Sequence, residues 1–211
     1  NTCFYELSES SNKFMLCGVP IEKGGKRFLN KNDISRKLKE NKTDLDGHFC
    51  GVSIENNSIR LFTDKLGLRD FHIFENEEGF YFSTRLDWLL KLGSFEIDFN
   101  EFGSKWNLIN QISNGGIVKN ITRLNCGSVA VINGNLKIIE NSWMPVKGND
   151  ISKEEFLERL EQHILTASDD NTKLSLSLSG GMDSRVILSV LMNSDYKNWD
   201  CHTFDTSDGK D

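Results

Sequence analysis

Residues Ser179-Gly180-Gly181-Met182-Asp183-Ser184 bring two hydroxyls, a carboxylate and a glycine pair into six consecutive positions. Leu174, Leu176 and Leu178 alternate with Ser175, Ser177 and Ser179 ahead of them, the period of a β-strand. A dense apolar run from Val186 to Met192 follows, as expected of a buried helix. Strand, glycine turn and helix in that order aim several backbone N–H groups and a helix N-terminus at one point, which makes an anion site. Gly180 and Gly181 carry no Cβ, so a bulky polyanion can approach the backbone. Ser179 and Ser184 place a hydroxyl at each end of the turn. Asp183 falls in the first helical turn, where the dipole favours a carboxylate and where it could hold Mg²⁺. A phosphate group fits this set better than a carboxylate does. The Gly-x-x-x-x-Gly-Lys-Ser/Thr pattern of the common P-loop is absent from the sequence.

The elements that must position this turn can be read outwards from it. Asp150 or Ser152 caps a long amphipathic helix, with Glu155 placed for a capping box and Phe156, Leu160, Ile164 and Ala167 on one face. Met144 to Asp150, with Pro145 and Gly148, reads as a linker. The chain before it is rich in strand signals. Lys13 to Ile21 is a short apolar strand closed by Pro20 and Gly24-Gly25, and Asp33 can cap a short helix carrying Ile34 and Leu38. His48 to Glu55 and Ser58 to Thr63 form a hairpin about Asn56-Asn57. Phe71 to Phe74 and Phe80 to Ser83 form another about Asn76 to Gly79. Thr84 is placed to cap a helix from Arg85 to Lys91 with Leu86, Leu89 and Leu90 inward and Gly93 closing it. Asp98 to Leu108 reads as a second helix that Gly103 interrupts. Ser128 to Ile132 and Leu136 to Ile139 pair about Asn133-Gly134.

With 211 residues the chain can hold one large or two small domains. Its net charge of -6 argues against a nucleic-acid binder, which usually carries a basic surplus. No apolar run approaches a membrane span, and the first residues lack a basic segment followed by an apolar one. Cys3, Cys17, Cys50, Cys126 and Cys201 are scattered, odd in number and without a C-x-x-C pair, the usage of a reducing cytoplasm.

Ser179-Gly180-Gly181-Met182-Asp183-Ser184 resembles the SGGxDS pyrophosphate loop of the PP-loop ATP pyrophosphatases. Five fixed positions arise by chance in a chain of this length with a probability on the order of 10⁻⁴. The strand-rich part carries a second resemblance. Asp46-Gly47-His48-Phe49, Arg60 to Gly67 with Asp64-Lys65-Leu66-Gly67, Gly79 to Ser83, Thr122 to Gly127, and Ser142-Trp143 follow the order of motifs in the glutaminase domain of asparagine synthetases. Together the fragments span roughly residues 13 to 211. The chain is therefore identified as similar to the N-terminal portion of that family. The resemblance implies an α+β protein: an Ntn-hydrolase-like αββα sandwich over residues 1–146, then, over 147–211, the start of an α/β Rossmann-like PP-loop fold.

What the resemblance implies for function is an ATP-dependent, amide-forming ligase. A small-molecule or peptide carboxylate attacks the α-phosphate of ATP, pyrophosphate leaves, and an amine displaces AMP. ATP and Mg²⁺ are the implied cofactors, with Ser179, Gly180, Gly181, Asp183 and Ser184 on the pyrophosphate and Asp183 on the metal. Leu178, Thr203 and Phe204 would frame the adenine. No nucleic-acid or membrane partner is implied, and homodimer formation is left open. The glutaminase signature is incomplete. Cys17-Gly18-Val19 stands where the family begins with its N-terminal nucleophile, yet sixteen residues precede it. The family's R-G-P-D and N-G-E-I-Y-N segments are missing between Ile21 and Asp46, although Asp46 matches the position that binds the glutamine amine. Cys3 is nearer the start, but Phe4-Tyr5 follows it. Glutamine hydrolysis is thus expected to be lost, and Cys17 to be a small buried hydrophobe. In that case the amine is ammonia or belongs to the substrate, as in β-lactam synthetase and the lasso-peptide cyclases. Arg185 is placed either to reach a phosphate or a substrate carboxylate or to pair with an acid such as Asp169 or Asp170, and the pairing with an acid is favoured. His202 is expected to be packed or solvated. The segments that serve the leaving pyrophosphate and the acceptor in the family would follow Asp211, so this chain by itself is expected to show no ATP–pyrophosphate exchange. The rival expectations are a glutamine-hydrolysing enzyme using Cys17 and a non-catalytic scaffold.

Overall fold

Alternation of apolar side chains in the stretch Asn12–Ile21 decides the architecture around it. Phe14 and Leu16 point to one side of this strand, Met15 and Cys17 to the other, and both sides are packed. The computed structural model describes residues 4–9, 12–24, 27–39, 45–55, 58–108, 115–139, 147–148, 150–166 and 173–203. They divide into two units, Asn1–Ile21 with Leu29–Val146, and Glu22–Phe28 with Lys147–Asp211. The protein is α+β, with antiparallel sheets and five α-helices among the described residues.

The first unit contains, in chain order, β1 (Phe4–Glu9), β2 (Asn12–Ile21), α1 (Lys31–Lys39), β3 (Asp46–Glu55), β4 (Ser58–Thr63), β5 (His72–Asn76), β6 (Gly79–Ser83), α2 (Leu86–Leu89), α3 (Phe99–Leu108), β7 (Ile121–Arg123), β8 (Val129–Asn133) and β9 (Asn135–Ile139). Six strands form an antiparallel sheet in the order β1-β2-β3-β4-β8-β9, and three form a second in the order β6-β5-β7. The two sheets face each other across a core of Cys50, Val52, Leu61, Ala130 and Ile132 from the larger and Ile73, Phe80 and Phe82 from the smaller. The opposite face of the large sheet is covered by α1, whose Ile34 meets Phe14, Leu16 and Phe49. The opposite face of the small sheet is covered by α2 through Leu86 and Leu89, packed with Phe74, Tyr81 and Ile121. Helix, sheet, sheet and helix are therefore stacked in four layers, the arrangement in which each sheet buries both faces.

Two local features follow from residue type. Pro20 pairs with Gly47 inside β2, beyond the last residue that β1 covers, and on that edge its carbonyl accepts from Leu29 N–H at 3.0 Å. Gly51 stands opposite Phe62, whose ring lies where a side chain at Gly51 would be. That ring also stacks on Phe14 with centroids 5.7 Å apart.

Several sequence-based boundaries are corrected. The cap of α1 is Asn30: its Oδ1 accepts from the N–H groups of Asn32 and Asp33, while Asp33 Oδ2 accepts from Asn30 N–H, a reciprocal capping box. The helix expected from Arg85 to Lys91 is α2 followed by a 3-10 turn at Leu90–Leu92. No side chain caps it, and Leu90 is exposed. Gly103 does not interrupt α3, which Asp98 caps by accepting from the N–H groups of Asn100 and Glu101.

The second unit contains α4 (Lys153–Leu165), β10 (Leu174–Ser177), α5 (Met182–Asn193) and β11 (Trp199–His202). Ser152 caps α4 by accepting from Glu155 N–H, as its spacing indicates. Phe156 is exposed rather than inward, and α4 has no fully buried residue. Ala167, Asp169 and Asp170 lie outside the described residues. β10 and β11 pair in parallel, with Leu174 opposite Trp199 and Ser177 opposite His202, and α5 makes the crossover between them.

Candidate functional site

Leu178 and Thr203 mark the carboxyl ends of the parallel pair. Leu178 N–H donates to His202 O at 2.8 Å, which carries the pairing one residue past β10 and releases the chain as a turn from Ser179 onward. Open α/β sheets bind ligands at this edge, because the loops and helix N-termini converge there. The described residues Leu178, Ser179, Gly180, Gly181, Asp183, Ser184 and Thr203 all gather at or next to it. Phe204 lies outside the described residues.

Ser184 holds the turn in shape. Its side chain is buried, and Oγ stands 3.0 Å from both Ser179 O and Ser179 Oγ, while Ser179 N–H donates to it at 3.2 Å. Ser179 Oγ in turn accepts from Gly181 N–H at 3.2 Å. The two hydroxyls expected at the ends of the loop are thus joined into a clamp, and both engage the loop backbone. Gly181 is the N-cap of α5 at φ -74°, with no side-chain cap, so the first-turn amides carry the helix dipole toward the loop without a side-chain acceptor. Asp183 is exposed in that first turn. Gly180 is the open point. A Cβ built there meets nothing within 4 Å, and neither Gly180 nor Gly181 has a positive φ. Their glycine character is therefore not demanded by the backbone; what it leaves at Gly180 is space.

Arg185 adds a cation to the loop; Asp169 and Asp170, the acids expected as its partners, lie outside the described residues. Its Nε donates to Gly181 O at 3.2 Å and its Nη2 to Gly180 O at 3.1 Å, so the guanidinium is folded onto the loop carbonyls. The spacing of four residues from Gly181 and five from Gly180 is the available signal. His202 is exposed, with Nδ1 3.1 Å from Ser175 Oγ, and Asp200 is paired with Lys173 at 2.7 Å. The Lys173 hydrogen bond holds the Asp200 carboxyl below its ordinary pKa.

No protein-family model matches this chain, and no curated protein matches its sequence.

The remaining candidates lie in the first unit. Cys17 is an internal residue of β2, flanked by Phe4 of β1 and Cys50 of β3. Its nitrogen is a peptide nitrogen, so the free α-amine that an N-terminal nucleophile uses as its base is not at hand. Asp46 accepts from Lys65 Nζ at 2.7 Å, a half-buried ion pair that already supplies its carboxylate with a cation. Asp64, which the Asp64-Lys65-Leu66-Gly67 motif singles out, is buried. Its Oδ2 accepts from Phe49 N–H and its Oδ1 from the N–H groups of Leu66 and Leu68. This is a structural role: one carboxylate fixes the exit of β4 against β3. Sequence reasoning passed over Arg69, whose Nη1 lies 3.6 Å from Cys17 Sγ.

Proposed function

We propose that the second unit binds the pyrophosphate portion of ATP in the loop Ser179 to Ser184, as the nucleotide site of an asparagine-synthetase-like ligase that adenylates a carboxylate before amide formation. The observation that carries this reading is the open position at Gly180 in a turn locked by the Ser179–Ser184 hydroxyl clamp. A rigid loop with uncapped helix amides and room at its apex suits a polyanion that must approach the backbone. The β10-α5-β11 unit fits the start of a Rossmann-like PP-loop fold, and the four layers of the first unit fit an Ntn-hydrolase-like αββα sandwich.

In this reading ATP supplies the phosphoanhydride whose cleavage drives amide formation, and Mg²⁺ neutralises its charge. Asp183 is the residue for the metal: one exposed carboxylate beside the loop matches an ion that keeps most of its shell as water and phosphate oxygens. The chain's own part is electrostatic. Fixed N–H groups of the loop and the first turn of α5 hold the leaving pyrophosphate where its charge grows, and Ser184 keeps them aligned. Arg185 braces the loop carbonyls and turns a positive charge toward the same place. Leu178 and Thr203, at the ends of the parallel strands, border the space for the base. In this reading the first unit is a sandwich that has lost glutamine hydrolysis, and the place of Cys17 inside β2 supports that loss.

The test is MgATP titration of the chain and of Gly180→Ala, followed by calorimetry and thermal shift. An alanine at Gly180 has space and an ordinary backbone, so the variant keeps the wild-type melting temperature while its affinity falls at least tenfold, about 1.4 kcal/mol. Equal affinity in the two proteins would remove the loop from the nucleotide site.

A further inference from the structure

Cys17 and Cys50 stand directly opposite each other on β2 and β3. Both face the core between the two sheets, where Cys50 is buried and Cys17 packs against its cluster with partial exposure. Opposed residues of antiparallel strands have Cα atoms roughly 4.5–5.5 Å apart, inside the range a disulfide spans. Against this pair lies Arg69. Its Nη1 is 3.6 Å from Cys17 Sγ, and its Nε is buried with no hydrogen-bond partner. Arg69 as a whole is partly exposed, but a buried guanidinium N–H without a partner costs free energy unless an acceptor or negative charge forms next to it. Neither the nucleotide loop nor the layers of the sandwich account for these three side chains meeting.

We propose that Cys17, Cys50 and Arg69 form a peroxide-oxidised dithiol site, in which Cys17 attacks, Cys50 resolves and Arg69 holds the charge on the attacking sulfur. In the first step the Cys17 sulfur displaces water from hydrogen peroxide: the O–O bond breaks, an S–O bond forms, and the thiol becomes a sulfenic acid. In the second step the Cys50 sulfur displaces the hydroxyl, its proton leaves with the departing oxygen as water, and the S–S bond closes. Each sulfur is oxidised by one electron overall, and one peroxide is reduced to two waters. The assignment of roles follows from position. Cys17 has partial solvent access and the Arg69 Nη1 against its sulfur, whereas Cys50 is buried, and that burial pushes its thiol up to about 12, which makes Cys50 the resolving rather than the attacking group.

The experiment treats the 211-residue chain with one equivalent of hydrogen peroxide, alkylates the remaining thiols and maps the peptides by mass. The expected product is a dithiothreitol-reversible Cys17–Cys50 link, while Cys126 and Cys201, the exposed cysteines, remain largely alkylated. In Cys50→Ser the Cys17 sulfenic acid persists and is trapped by dimedone, and in Arg69→Gln closure of the link slows roughly tenfold. Near-UV circular dichroism checks that each variant keeps the wild-type fold, and the wild-type map stands without them. Cys17 and Cys50 both remaining alkylatable after treatment, or Cys17 pairing with Cys3, would overturn the proposal, as would an unchanged rate in a folded Arg69→Gln.

Discussion

At the scale of single residues, one buried carboxylate, Asp64, ties the exit of β4 to β3. Asp64 is 1% exposed and its two oxygens accept three backbone N–H groups, from Phe49, Leu66 and Leu68. Replacing it with alanine strips all three at once; an unmet buried donor such as Phe49 N–H costs about 1–3 kcal/mol, and the part-buried Leu66 and Leu68 groups lose the acceptor that shapes their turn. Asp64→Ala should therefore lower stability by about 3 kcal/mol or more, with Asp64→Asn losing less because its amide oxygen can keep part of the set. Urea midpoints at constant slope measure both. His72 gives a pH dependence. Burial holds its pKa below the ordinary 6.5, with Arg123 and Lys105 acting in the same direction and Asp70 against them. The unfolded chain then takes up its proton first. The stability His72 supports is complete above about 6.5 and declines as pH falls toward the lower folded value. Asp70 acts in a separate window. Burial raises its pKa, but the Arg123 hydrogen bond and charge outweigh this and leave the carboxyl below its usual 3.8, so its contribution is lost only in stronger acid. His72→Phe should flatten the fall in melting temperature between pH 7 and pH 5 and leave the fall below pH 4 in place.

At the scale of elements, what could be read in the sequence is what local chemistry decides. The β10–loop–α5 transition, the Ser152 cap and the hairpins of β5–β6 and β8–β9 were legible because serines, glycines and an Asn-Gly pair fix them within a few residues. The strands β1 and β7 were not. β1 has a mixed Phe-Tyr-Glu-Leu-Ser-Glu composition and owes its state to pairing with β2, and β7 is three residues held by β5. The α1 cap was misread because Asp33 occupies the position that answers a cap; Asn30 makes the cap itself. Asn30→Ala should cost about 1 kcal/mol, whereas Asn30→Ser should be close to neutral, by thermal denaturation. In the candidate site, the clamp residues were legible from their types. The folding of Arg185 onto the loop and the approach of Arg69 to Cys17 were not, because side-chain direction and contacts between strands distant in sequence leave no local signal.

At the scale of the whole molecule, the two units differ in how much apolar surface each buries by itself. All three buried clusters lie in residues 14 to 132, and they fill the spaces between four layers. Among the described residues of 147–211, Leu191 is the buried hydrophobic side chain, while Phe156, Leu157, Met182, Val186 and Met192 are exposed. Chain entropy opposes folding by about 1–2 kcal/mol per residue in both parts, so the part with little burial has little to set against it. A polypeptide of residues 1–146 should therefore unfold cooperatively, with dispersed amide resonances and the near-UV spectrum of its share of the aromatics. A polypeptide of residues 147–211 should show helix in the far-UV, from α4 and α5, but narrow amide dispersion and a broad thermal transition. If the shorter piece instead melted sharply, its stability would have to come from the hydroxyl clamp and the β10–β11 pairing rather than from a core. The loop would then be rigid before any nucleotide arrives, and the affinity lost in Gly180→Ala would appear undiminished in the isolated piece.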